Sequence, residues 1–262
     1  MLSTSNSVEK KSDITTYMTS KVKWKEVSVP NGNVIVVDID AIAIQSSLLY
    51  IQEQKFALDF VYDFFTECHI DKIFSIYRIA LDNIKIMFNN VILVSSLHSE
   101  NSYNKPKLGS LTYEGIVELK KNIHTYIIKG PDVYRILKEK TREKIIVPTE
   151  EHLLDKSLLL ASLKSDVLIT YDPHVFMFGK NKVYKYYENK WFIKTKNDFN
   201  DAMNLGNIND FSYSCLLLGT RFGKAKKSTT LRSIRECKDK KGTVLKIFAE
   251  HPVLEKLEAL NL

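Results

Sequence analysis

Short apolar runs and longer stretches of helical period take turns along this chain. Val34-Ile35-Val36-Val37 and Val167-Leu168-Ile169-Thr170 are continuous, β-branched runs, each long enough for one buried strand and too short for a helix. The turn signal Asn31-Gly32-Asn33 launches the first, which ends in Asp38-Ile39-Asp40. The second ends in Tyr171-Asp172, where Pro173 takes the chain out of the sheet because it has no N–H to give a ladder. Further strands are predicted at Val91 to Leu97 and Lys144 to Val147. Helical spacing of apolar residues predicts helices over Ala41 to Gln54, Phe56 to Cys68, Asp71 to Asn89, Thr112 to Ile128 and Asp132 to Glu143, and another that follows Pro148-Thr149-Glu150-Glu151 and runs to Leu163. A period of two returns over Lys182 to Thr195 and predicts a hairpin turning at Glu188-Asn189-Lys190. Helices follow at Asn197 to Asn204 and Asn207 to Leu218, and the tail from Gly223 is helical but polar.

Strands alternating with helices predict an α/β fold with a mainly parallel central sheet flanked by helices. The core is expected over residues 33–206, after a polar amino-terminal arm (1–32) and before a helical carboxyl-terminal region (207–262).

Composition adds a partner class to this outline. Across 262 residues, Lys plus Arg number 38 against 31 Asp plus Glu, a net charge of +7, which favours polyanionic partners. Cys68, Cys215 and Cys237 are far apart, with no Cys-x-x-Cys pair, so reduced thiols and an intracellular, more cytoplasmic than nuclear, location are expected. No apolar run approaches the roughly 20 residues a membrane span needs, so no membrane association is expected.

The chemistry-bearing residues are carboxylates at strand ends. Asp38 and Asp40 follow the first strand, Glu150 and Glu151 stand at a helix start, and Asp172 with His174 follows the later strand. In parallel sheets that edge is where ligands bind, and converging carboxylates there suit Mg²⁺ or Mn²⁺, because hard cations take oxygen ligands. A bland reading stands beside this one: Asp172 caps a turn, and the paired glutamates favour a helix dipole.

The order of parts resembles the catalytic core of the flap endonuclease and XPG-type nucleases, a branch of the PIN-like fold. In that family a first strand ends in Asp before a helix, which Val36-Val37-Asp38-Ile39-Asp40-Ala41 matches. Its Pro-Ser-Glu-Ala-Glu element is matched by Pro148-Thr149-Glu150-Glu151, and its Glu-Asp-x-Asp-x-Leu-x-Phe-Gly element by Tyr171 to Gly179, ending in Phe178-Gly179. Its Leu-Leu-Gly-x-Asp-Tyr element is matched by Leu217-Leu218-Gly219-Thr220-Arg221-Phe222. The resemblance spans about Val34 to Leu231 and implies a metal-dependent nuclease fold.

The departures fall on the acids. His174 and Arg221 stand at two of the family's aspartates, Val94-Ser95-Ser96 carries no carboxylate at a third, and one partner of the paired glutamates is missing. The Met-Gly start of family members is replaced by the polar arm, and Lys224 to Thr230 replaces the glycine-rich hairpin of the DNA-binding helix pair. Arg221 would place a permanent cation where a metal ligand belongs.

The expectation is a nuclease core without its chemistry: Asp38, Glu150, Glu151, Asp172, His174 and Arg221 are vestigial, and no metal or other cofactor is expected. Binding to RNA, or to a ribonucleoprotein such as the ribosome, is expected through Lys105, Lys107, Lys120, Lys121, Lys224, Lys226, Lys227, Lys238, Lys240 and Lys241. One alternative is a single-metal Mg²⁺ or Mn²⁺ nuclease using Asp38, Asp40 and Asp172. Another is a protein adaptor that docks through the amino-terminal arm or the Tyr184 to Trp191 hairpin.

Overall fold

The computed structural model describes residues 22–54, 67–95, 143–153, 155–220, 231–248 and 251–259. The helices expected at Phe56 to Cys68, Thr112 to Ile128 and Asp132 to Glu143 lie wholly or almost wholly outside these residues. The chain divides into two compact units. One comprises Glu26–Tyr171 and Val183–Ile193, the other Met1–Lys25, Asp172–Lys182 and Lys194–Leu262.

The first unit is built on a seven-stranded sheet. Its strands are β1 (Lys25–Val27), β2 (Val34–Asp38), β3 (Asn90–Val94), β4 (Ile145–Ile146), β5 (Val167–Ile169), β6 (Lys182–Tyr187) and β7 (Lys190–Thr195). The spatial order is β1-β7-β6-β5-β2-β3-β4. Strand β2 runs parallel to both its neighbours, with Val37 opposite Leu93 on one side and Ile169 on the other. Strands β3 with β4 and β5 with β6 are also parallel pairs. The expected α/β fold with a mainly parallel sheet is therefore present, and the continuous apolar runs have the cause inferred for them. Val36 and Val37 of β2 and Val167, Leu168 and Ile169 of β5 are buried, as strands covered on both faces must be.

Two helices of this unit follow from their spacing. Helix α1 (Ile39–Gln54) leaves β2 without a loop, so Asp38 ends the strand and Asp40 sits in the first helical turn. Helix α2 (Glu67–Met87) packs against α1 and buries Ile73, Tyr77, Leu81 and Ile84, spaced by three and four residues as one helix face requires. Phe88, just past its end, meets the indole of Trp191 edge-on with ring centroids 5.7 Å apart. The hairpin β6–β7 thus turns Tyr186 and Trp191 into the core.

The helix expected to start at Glu150-Glu151 and run to Leu163 is broken. A 3-10 turn (Glu150–His152) ends at Leu153, whose φ of 50° is left-handed, and α3 (Lys156–Ser162) starts afresh. Asp155 explains the restart: its Oδ1 accepts from Ser157 N at 2.8 Å and Leu158 N at 3.2 Å, a side-chain cap that replaces the missing helical carbonyls.

In the second unit Asp172 caps a 3-10 helix (Pro173–Phe176). Thr195 and Asp198 form a reciprocal capping box for α4 (Lys196–Met203), with Asp198 N donating to Thr195 Oγ1 and Thr195 N to Asp198 Oδ2. The almost wholly apolar α5 (Phe211–Leu218) is buried through Leu217. Then come α6 (Leu231–Glu236), which buries Ile234, α7 (Lys240–Ile247), which buries Lys240 and Val244, and α8 (Pro252–Ala259), which buries Val253, Leu254 and Leu257.

Candidate functional site

Three adjacent parallel strands, β3, β2 and β5, deliver polar residues to one edge of the sheet. Register sets this out: Asp38 is level with Val94, and Val37 is level with Ile169, so Ser95 and Thr170 each arrive one residue past the end of a neighbouring strand. Thr170 Oγ1 donates to Asp38 Oδ2 at 2.7 Å. Ser95 Oγ donates to Asp40 Oδ1 at 2.9 Å. Asp38 Oδ1 turns back to accept from the backbone N–H of Asp40 at 3.2 Å, so the aspartate also serves the open start of α1.

A lysine completes the group. Lys156, the first residue of α3, places its ammonium between the two carboxylates, 2.9 Å from Asp38 Oδ1 and 2.8 Å from Asp40 Oδ2. All four carboxylate oxygens therefore hold a hydrogen bond. The three side chains are 2%, 9% and 16% exposed for Asp38, Asp40 and Lys156, so this is an ion-paired cluster out of water, with two negative charges against one positive.

Burial dominates the electrostatics of Asp38. It pushes the carboxyl up to about 6; the Lys156 charge pulls the other way, and the nearby Asp40 charge adds to the rise. Tyr171, next along from Thr170, donates its hydroxyl to Gln45 Oε1 on α1. Burial first, then the Asp38 charge, raises the Tyr171 phenol well above its ordinary range, so it stays a donor.

This donor set does not fit a divalent ion. Mg²⁺ asks for near-octahedral oxygen ligation at close range, and a two-metal clamp needs several carboxylates free to turn toward the ions. Here the oxygens that face inward are already on an ammonium. Among the described residues no group of three or more His, Cys, Asp or Glu is placed to hold a metal.

Glu150 and Glu151 stand exposed on the 3-10 turn, and it is Lys156, a few residues on, that reaches the acids. Asp172 belongs to the second unit, where its Oδ1 accepts from His174 N at 3.0 Å and lies 2.9 Å from His174 Nδ1; the turn-capping reading describes what it does there. Arg221 and Lys105, Lys107, Lys120, Lys121, Lys224, Lys226 and Lys227 lie outside the described residues. Lys238 and Lys241 are exposed. Lys240 is instead buried, its ammonium donating to Cys237 O at 3.1 Å and lying 3.5 Å from Asp210 Oδ2.

Sequence reasoning passed over Lys156, Thr170 and Ser95. One signal for Lys156 was available: a cation in the first turn of a helix opposes the helix dipole, so a lysine directly after the cap Asp155 needs acids from elsewhere in the fold.

No protein-family model and no curated protein matches the sequence. Solved structures with a similar chain course exist. Flap endonuclease-1 from Methanococcus jannaschii is 11% identical, with 91% of this chain and 82% of that one covered and a TM-score of 0.48. Human GEN1 in complex with Holliday junction DNA is 14% identical, with 90% and 56% covered and a TM-score of 0.41. This chain thus spans little more than half of GEN1. The catalytic core of Rad2 in complex with DNA substrate is 18% identical, with 88% and 66% covered and a TM-score of 0.39.

Proposed function

We propose that this chain is a flap-endonuclease-like core that does not cut and that binds nucleic acid, RNA or a ribonucleoprotein such as the ribosome in particular. One observation carries the loss of chemistry: the ammonium of Lys156 sits between Asp38 and Asp40 at 2.9 and 2.8 Å. Phosphodiester cleavage by this class of site needs ions that bind the attacking and leaving oxygens, and an ammonium has no open coordination position for either. The binding half of the reading is supported by the surplus of 38 Lys plus Arg over 31 Asp plus Glu. Lysine contacts to phosphate position a polyanion without reading its sequence. The replacement of the glycine-rich hairpin by Lys224 to Thr230 favours RNA over flap DNA as the partner.

The test is binding of the full chain to single-stranded RNA and to branched DNA at several salt concentrations, with EDTA or with Mn²⁺. The reading expects RNA affinity that falls steeply with salt, is indifferent to EDTA, and leaves the nucleic acid intact. Mn²⁺-dependent cleavage abolished by Asp172→Asn would establish the single-metal nuclease instead. A stable protein partner that survives nuclease treatment, with no RNA affinity, would establish the adaptor.

A further inference from the structure

Side chains alternate across a strand, so the residues of β6 and β7 that do not enter the core share the opposite face of the sheet. Tyr186 and Trp191 are buried in the core, which leaves Lys185, Tyr187 and Phe192 on the other side, each partly exposed. Tyr171, just past the end of β5, joins them. The ammonium of Lys185 stands over the Tyr187 ring, 4.4 Å from its centroid, with the Phe192 and Tyr171 centroids at 5.7 and 5.9 Å. Among the described residues this ammonium makes no hydrogen bond and no ion pair. Burial holds its pKa below the ordinary lysine value, and the Glu188 charge pulls the other way. The Glu188 carboxylate is itself bonded to the Tyr187 hydroxyl.

An ammonium short of acceptors is stabilised by a phosphate oxygen, and an aromatic face by the flat face of a base. Every nucleotide of a strand carries both groups. We propose that Lys185, Tyr187 and Phe192 form a platform for unpaired nucleotides of single-stranded RNA, the rings stacking on bases and the ammonium turning from the Tyr187 ring to a phosphate. The inference rests on the nucleic-acid reading above and gives it a site. Glu188 leaves the local charge near balance, so the rings carry more of the affinity than Coulomb attraction does. Paired bases spend their faces in their own stack, which excludes a duplex as the ligand. Ring faces are common to all bases, so the platform does not read sequence.

The experiment measures binding of the full-length chain to an oligouridine of about ten nucleotides, to the same strand annealed to its complement, and to one carrying 5-iodouridine for photocrosslinking. The parent is expected to bind the single strand at least about fivefold more tightly than the duplex, and to crosslink at Tyr187 or Phe192. Tyr187→Leu and Phe192→Leu keep an apolar side chain without a π face, and each is expected to weaken binding by about fivefold or more. Tyr187→Phe keeps the ring and is expected to bind as the parent does. Lys185→Gln is expected to reduce the slope of log affinity against log salt by about 0.7, the share of one phosphate contact on a single strand.

Three results overturn the platform and leave the nucleic-acid reading standing. They are unchanged affinity in both leucine variants, folded by circular dichroism; crosslinks that all fall elsewhere in the chain; and equal affinity for single strand and duplex. A parent chain that binds no RNA in any form overturns the platform and that reading together. If the leucine variants do not fold, the crosslink map of the parent decides: Tyr187 or Phe192 in the crosslinked peptide supports the platform, and neither overturns it.

Discussion

A Cβ on Gly32 would stand 2.4 Å from the Cβ of Asp166, closer than two carbon atoms approach without a shift of one of them. The crowding follows from the task of Asp166. Its Oδ2 accepts from the backbone N–H groups of Asn33 and Val34 at 2.7 and 3.0 Å, and its own N–H donates to Val34 O at 3.0 Å, tying the start of β5 to the start of β2. Gly32→Ala should therefore destabilise by about 1–3 kcal/mol, read as a lower urea midpoint with an unchanged slope.

The same carboxylate gives a pH signature. The Val34 and Asn33 amides hold the Asp166 carboxyl below its ordinary value. An acid depressed by folding stabilises above its unfolded pKa, and that contribution fades as pH falls through the folded pKa. The stability gap between the parent and Asp166→Ala should thus be constant from pH 5 to 7 and shrink below about pH 4. A gap that widens on acidification would contradict it.

Asp38 behaves with the opposite sign. Its carboxyl, pushed up to about 6 chiefly by burial, takes up a proton on folding between the unfolded value of 3.8 and the folded one. Stability from this group is complete below pH 3.8 and is lost as pH rises through about 6. Compared with Asp38→Asn, which does not titrate, the parent should lose on the order of 2 kcal/mol in relative stability between pH 4.5 and 7.5, measured by urea unfolding at each pH. If the parent gains over that interval, attraction to Lys156 outweighs burial and the sign is reversed.

Much of this fold was legible because its signals are local. The run Val34 to Val37 is apolar at every position, which only a strand buried on both faces tolerates, and Asn31-Gly32 marks where it begins. The α2 stripe Ile73, Tyr77, Leu81, Ile84 is equally readable, since helical spacing needs no knowledge of the partner. The candidate site was legible by half. Asp38 and Asp40 follow from where the strand ends, but their partners come from β3, β5 and α3, more than fifty residues away in sequence, and spacing does not report register between strands. The break at Leu153 was missed for a related reason: a left-handed leucine has no sequence signature, and the cap Asp155 lay inside an otherwise helical pattern.

The hairpin turn can be improved. Glu188 and Asn189, with φ of 48° and 60°, both adopt left-handed backbone, the conformation of a two-residue type I′ turn. Asn189 suits it and is held by the Tyr186 hydroxyl at 2.8 Å and by Asn83 Nδ2 at 3.3 Å. Glutamate does not suit it, having a Cβ and no short polar group to bond locally. Glu188→Asn should stabilise by about 0.5–1 kcal/mol, seen as a higher melting temperature, whereas Asn189→Ala should lower it.

Trp191 poses the sharpest test of the core. Its side chain is buried between Phe88, Tyr186 and Tyr184, with centroid distances of 5.7, 5.1 and 6.4 Å. Its indole Nε1 is also buried, with no hydrogen-bond partner among the described residues. Leaving such a donor unsatisfied costs about 1–3 kcal/mol, which offsets part of what the ring contributes. Truncation to alanine removes the ring and opens a cavity, so Trp191→Ala should cost about 3–5 kcal/mol. Trp191→Phe keeps an aromatic surface against Phe88 and Tyr186 and removes the stranded N–H, so the two effects oppose and the net loss should stay below about 1.5 kcal/mol. Equilibrium urea unfolding of both variants separates the contributions. A phenylalanine variant as damaged as the alanine one would mean that the indole N–H is bonded after all, and that this corner of the sheet is held by a polar contact as well as by packing.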